Sequence, residues 1–105
     1  MVSKEGIMAR KIARCADIPE GGNIVVSLED GREVAIFHIG EEYYALDNRC
    51  PHMEGPLGEG ELDGCVVTCP WHGWQFDVRN GECQNMPGEQ AKKIPLTVED
   101  GFIWI

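Results

Sequence analysis

The chain has 105 residues, enough for one modest core, with 43% hydrophobic residues, which argues against disorder. It carries 18 acids against 9 bases, net −9, a balance that excludes nucleic acid and anionic membrane as expected partners, since phosphate binding needs Lys and Arg clusters. No apolar run approaches the ~20 residues of a membrane span, and no signal-like leader opens the chain. The five cysteines cannot all pair internally, so reduced thiols or metal ligands in the cytoplasm are the expectation.

Along the chain, short β-prone runs alternate with turn dipeptides. Asn23 to Glu29 and Arg32 to Ile39 flank Asp30-Gly31; within the second run Ala35, Phe37 and Ile39 share one face and Val34, Ile36 and His38 the other, as in a half-buried strand. Gly40 and Glu41 turn the chain into Tyr43 to Asp47. Leu62 and Cys65 to Thr68 flank Asp63-Gly64, Trp74 to Arg79 and Glu82 to Gln84 flank Asn80-Gly81, and Ile94 to Glu99 and Phe102 to Ile105 flank Asp100-Gly101. All four dipeptides suit type I′ hairpin turns. No window holds a helical period over three turns, so the prediction is all-β, a small antiparallel sandwich or barrel. From Arg49 to Gly64 the chain is too rich in Gly and Pro for a regular core strand, which predicts loops inserted between two halves of the sandwich.

The chemistry lies in that insertion and just beyond it. Cys50-Pro51-His52 and Cys69-Pro70-Trp71-His72 form two compact pairs of potential ligands, separated by residues 53 to 68. Thiolate and imidazole together select zinc, copper or iron in clusters. A Cys-x-His pair is tighter than the cysteine spacing of mononuclear zinc sites, whereas a binuclear cluster can take both thiolates on one iron and both imidazoles on the other. Pro51 and Pro70 stiffen the two loops by fixing φ, and Gly73 after His72 permits close backbone approach.

The sequence Cys50-Pro-His52, followed by Cys69-Pro-Trp-His72-Gly-Trp-Gln-Phe-Asp, resembles the Rieske signature Cys-x-His…Cys-x-x-His, and the resemblance covers most of the chain. It implies a Rieske-like antiparallel β fold over residues 1–105, with a cluster-binding subdomain at about 48–88. It also implies one [2Fe-2S] cluster held by Cys50, His52, Cys69 and His72. Met86-Pro87-Gly88 is similar in position to the family's proline loop over the cluster. The respiratory branch carries an extra cysteine in each ligand loop, joined as a disulfide; Gly55 and Trp71 stand at those positions here. Trp74 and Phe76 replace the serine and tyrosine whose hydroxyls serve that branch, which points to the low end of the Rieske range, roughly −150 mV.

The resemblance implies a soluble one-electron carrier between an NAD(P)H-dependent reductase and a terminal ring-hydroxylating oxygenase. Alternatives are the small subunit of an assimilatory NAD(P)H nitrite reductase, which would bind that enzyme's large subunit, a non-catalytic iron- or redox-sensing module, and a structural zinc domain. A catalytic centre of its own is not expected: an oxygenase iron needs two further histidines and a carboxylate, and only His38 remains. Gly58, Gly60 and Gly64 are one residue off the dinucleotide fingerprint. Cys15, Cys65 and Cys83 read as small core residues. Glu54, Glu59, Glu61 and Asp63 place four acids and no base between the ligand pairs, a candidate docking face.

Overall fold

The structure, a computed structural model, describes residues 10–50, 55–71 and 73–105. Among these residues ten strands form three antiparallel sheets: β1 (Lys11–Arg14), β10 (Phe102–Trp104) and β9 (Thr97–Glu99) in the first, in that order; β2 (Asn23–Ser27), β3 (Glu33–Ile39), β4 (Glu42–Asp47) and β8 (Lys93–Ile94) in the second; β5 (Glu61–Asp63), β6 (Val66–Thr68) and β7 (Gln75–Asp77) in the third. Among the described residues there is no α-helix, only 3-10 turns at Cys15–Asp17 and Leu57–Glu59, and no helix long and apolar enough to cross a membrane. The all-β prediction therefore stands.

The second sheet separates two cores. Strand β3 was expected to be half-buried, but Val34, Ala35, Ile36 and Phe37 are all fully buried, because both of its faces are covered. Val34 and Ile36, with Ala45 and Ile94, pack with Ile18, Ile103 and Ile12 of the first sheet and its flanks. Ala35, Phe37 and Leu46 face the other way, onto Leu57, Val67, Phe76, Val78, Cys50 and Cys69. Each large apolar side chain buried in this way is worth about 1.5–3 kcal/mol. The second core thus fastens the residues after β4 to the sandwich.

Turn chemistry departs from the dipeptide reading at three of four places. Only Asp100-Gly101 has positive φ at both residues, 55° and 81°, as type I′ demands. Asp63 pairs with Val66, so the turn is Gly64-Cys65, with positive φ at its first residue alone, the type II′ arrangement. Asp30-Gly31 and Asn80-Gly81 belong to longer loops, closed by Leu28 N–H to Arg32 O (2.7 Å) and Gly81 N–H to Asp77 O (2.7 Å). The run from Ile94 to Glu99 is also two strands. Pro95 has no N–H to give a ladder; Ile94 pairs with Ala45 in the second sheet and Thr97 to Glu99 with β10 in the first.

Segment 48–92 leaves the sandwich after β4 and returns at β8, and its ends meet: Asp47 N–H donates to Lys92 O at 2.8 Å. Asn48, 3% exposed, pins its beginning. The Asn48 carboxamide accepts from Gly58 N–H (2.6 Å) and donates to Glu33 Oε1 (3.1 Å), while its backbone O accepts from Leu57 N–H (2.7 Å). A side chain at Gly60 would collide with the Thr68 carbonyl, so this crossing admits only glycine.

Candidate metal centre

Two turns at the tip of the inserted segment repeat one design. Cys50 N–H donates to Gly55 O at 2.8 Å, inside a bridge between Arg49 and Pro56; Cys69 N–H donates to Trp74 O at 2.8 Å, directly beyond the Thr68–Gln75 pair that ends the β6–β7 ladder. Each cysteine thus bonds to the carbonyl five residues on. The second tip is tightened by Gly73 N–H to Cys69 O (3.1 Å), with Gly73 at φ 75°.

Both cysteines are 2% exposed and belong to the same apolar cluster with Leu57, Val67 and Phe76. Among the described residues no disulfide forms. His52 and His72, with Pro51 and Glu54, lie outside the described residues, and among those described no three metal-ligating side chains gather. The two sulfur donors nevertheless suit an iron–sulfur group: soft ligands, drawn into one low-dielectric core, on separate loops whose backbones are tied down. The other thiols have different surroundings. Cys83 is buried and donates S–H to Asn85 Oδ1 (3.3 Å); Cys15 packs at the edge of the first core and bonds to Tyr43, whose phenol is pushed up first by burial and then by that thiol. Cys65 sits in the β5–β6 turn.

Gly55 and Trp71, expected at the positions of the respiratory disulfide, are in contact. A Cβ on Gly55 would lie 3.0 Å from Trp71 Cγ and 3.0 Å from Cys69 Sγ, so the indole lies against the first loop where a crosslink would otherwise join the two. The outer part of Trp71 is open to solvent, 55% exposed, and Met86 in the proline-bearing loop is 40% exposed. Trp74 packs at the edge of the core and Phe76 is fully buried. His38 has a structural role: Nδ1–H donates to Ile18 O (2.7 Å) and the ring stacks on Tyr43 at 4.1 Å. Glu59, Glu61 and Asp63 are exposed.

One tie was not foreseen from sequence. Asn85 Nδ2–H donates to Gly73 O (3.0 Å), and its Oδ1 accepts Gln75 N–H (3.1 Å), so a side chain from the loop after β7 grips both residues around Trp74. An asparagine before Met-Pro carries no local sign of a partner ten residues back.

Residues 9–97 match the Rieske [2Fe-2S] domain. The ferredoxin component of the p-cumate 2,3-dioxygenase system of Pseudomonas putida is 40% identical over 98 residues, spanning 90% of this chain and 83% of the relative. Among solved structures, a ferredoxin of Sphingomonas yanoikuyae B1 superposes with TM-score 0.84 at 30% identity, covering 91% of this chain and 95% of that one. The complex of reduced oxygenase and oxidized ferredoxin in carbazole 1,9a-dioxygenase contains a chain that superposes at TM-score 0.85 and 28% identity, covering 92% and 91%. With both cysteine turns built as a soft, buried donor pair, the chain belongs to the Rieske [2Fe-2S] domain family, and its cofactor is a [2Fe-2S] cluster.

Proposed function

We propose that this protein is the ferredoxin component of a ring-hydroxylating oxygenase system, taking single electrons from an NAD(P)H-dependent reductase and delivering them to the terminal oxygenase in the cytoplasm. The cluster is assigned to Cys50, His52, Cys69 and His72, within a cluster-binding segment at about 48–88 of a single domain, 1–105. The observation that carries this reading is the paired burial of Cys50 and Cys69 in matching backbone-closed turns. The kinship with ferredoxin components of dioxygenase systems supports the choice of partners.

When bound, the cluster supplies one reversible electron at a time. The chain's own residues do the rest. Cys50 and Cys69 give thiolates from an apolar core that excludes water, and the turn amides of both cysteines are already spent on Gly55 O and Trp74 O, so neither backbone must rearrange when charge changes. Trp74 and Phe76 put rings where hydroxyl donors would stabilise added negative charge, which favours a low potential. The exposed indole of Trp71 and thioether of Met86 offer an apolar contact near the tip, and the exposed acids Glu59, Glu61 and Asp63 steer approach toward basic partner surfaces.

Anaerobic purification with iron and acid-labile sulfide analysis, followed by EPR after dithionite, tests the cofactor and its ligands together. Two irons and two sulfides per chain with a Rieske-type signal are expected; a zinc-loaded protein without labile sulfide overturns the assignment. Electron delivery is tested by mixing the reduced protein with a terminal ring-hydroxylating oxygenase and its aromatic substrate, and reoxidation coupled to product formation is the expected result. A protein that stays reduced there, but forms a permanent complex with a nitrite reductase large subunit, is that enzyme's small subunit instead.

A further inference from the structure

We propose that Asn85 is a positioning residue of the cluster centre, holding the turn that carries Cys69 and residue 72 from the side opposite its own hairpin; this rests on the ligand assignment above. Strand β7 pairs with β6 on one edge. On its other edge the returning chain pairs through the Phe76–Cys83 bridge and Gln84 N–H to Gln75 O (2.6 Å). At residue 85 the backbone turns away into Met86-Pro87, and the Asn85 carboxamide replaces it. It takes Gln75 N–H (3.1 Å) on Oδ1 and gives Nδ2–H to Gly73 O (3.0 Å), the two groups that a residue of a parallel strand would bond across Trp74.

The orientation of this amide is fixed by its three partners. Oδ1 meets Gln75 N–H and the Cys83 thiol at 3.3 Å, and Nδ2 meets a carbonyl; a flipped amide would set donor against donor at Gln75 and acceptor against acceptor at Gly73. Cys83 is itself held in the core that contains Cys69, so the amide is anchored at its base. The second ligand turn is therefore gripped on both sides, by Cys69 N–H to Trp74 O within its own hairpin and by Asn85 from outside. Trp71 laid on Gly55 joins the two loops by contact, and the Asn85 grip holds the second of them in place. Its function is to keep the geometry of the second ligand pair the same in both redox states.

The test compares Asn85→Ala, Asn85→Asp and, as control, Asn80→Ala on purified holoprotein. Asn80 lies in the same hairpin; its Oδ1 accepts Glu82 N–H at 2.9 Å, and its backbone O, which alanine keeps, accepts Gln90 Nε2–H at 3.1 Å. Two readouts are taken: the g-values and linewidths of the reduced-state EPR spectrum, and the rate of iron release to an excess of chelator. Asn85→Ala should broaden or shift the spectrum and release iron about tenfold faster than wild type, the effect of losing these ties to the turn. Asn85→Asp keeps the acceptor and loses the donor, so it should fall between. Asn80→Ala should match wild type. An Asn85→Ala protein that assembles no cluster while Asn80→Ala does is the same result at its limit. An Asn85→Ala protein identical to wild type in both readouts, or equal changes in Asn80→Ala and Asn85→Ala, overturns the proposal. A wild-type protein without a Rieske signal would instead overturn the ligand assignment, and the two failures are thereby distinct.

Discussion

Gly55 is the smallest residue with the largest stake in the centre. A methyl group there would press on Cys69 Sγ and the Trp71 ring at once, both at 3.0 Å. Gly55→Ala should cost about 1–3 kcal/mol of stability by overpacking, and should lower iron content per chain; a melting curve and an iron assay on the same preparation check both. Cys50→Ser and Cys69→Ser should abolish stable cluster assembly, because on the proposed assignment each removes one of the two thiolate ligands, while Cys15→Ser should keep the visible spectrum. A bleached Cys15→Ser protein beside a coloured Cys50→Ser protein would reverse the ligand assignment. At this scale the sequence is informative where chemistry is local: two Cys-Pro pairs with their histidines propose ligands whatever the fold, and the structure brings the two cysteines into one core. The sequence is silent on Asn85, since its partners are backbone atoms of residues 73 and 75, and on the Trp71–Gly55 contact as a contact.

Among elements, the connections around the inserted segment bear the most strain if altered. Asn48 is buried with both ends of its carboxamide occupied, and Asn48→Ala would leave Gly58 N–H and Glu33 short of a partner. The expected loss is about 1–3 kcal/mol, measured by thermal or denaturant unfolding. The β7 hairpin carries a pH-dependent clasp. Asp77 accepts from Arg79 Nη2 (2.8 Å), Nε (3.0 Å) and backbone N–H (2.9 Å), and the Arg79 side chain above all holds its carboxyl below the ordinary value of 3.8. A lowered folded-state pKa adds stability that is present above 3.8 and fades as pH falls through the lowered value. Melting temperatures from neutral pH down to about 3 should therefore drop more for wild type than for Asp77→Asn, with the variant already lower at neutral pH. Equal slopes would show that the clasp is formed in the unfolded chain too. Strand positions were legible because β-branched and aromatic runs alternate, but turn types were not. Asp63-Gly64 reads as a turn, yet burial of Val67 opposite Leu62 fixes a register that moves the turn by one residue.

For the whole molecule, two cores sharing one sheet imply two levels of stability. Cys50 and Cys69 belong to the core between the second and third sheets, whereas the core against the first sheet contains no assigned ligand. Stripping the cluster with acid and chelator should loosen the first of these cores and leave the second largely intact. Hydrogen exchange should accordingly rise over β5 to β7 while β1, β9 and β10 stay protected; a uniform rise would mean that the protein unfolds as one unit. The doubly covered β3 explains why sequence alternation revealed both faces without revealing that both are interior. Alternation marks sides, and only the topology says what covers them.

The meeting of Asp47 N–H and Lys92 O gives the inserted segment a property of its own. A stretch of chain that departs and arrives at neighbouring rungs asks little of its host: those rungs, one apolar landing face, here Ala35, Phe37 and Leu46, and the polar anchors Asn23 and Glu33. Such a stretch is portable. Residues 48–92 should be exchangeable with the matching stretch of a related ferredoxin, provided that the landing face is transplanted with it. In the resulting chimera the reduction potential, read by protein-film voltammetry, should follow the donor of the cassette, and the melting behaviour of β1, β9 and β10 should follow the recipient.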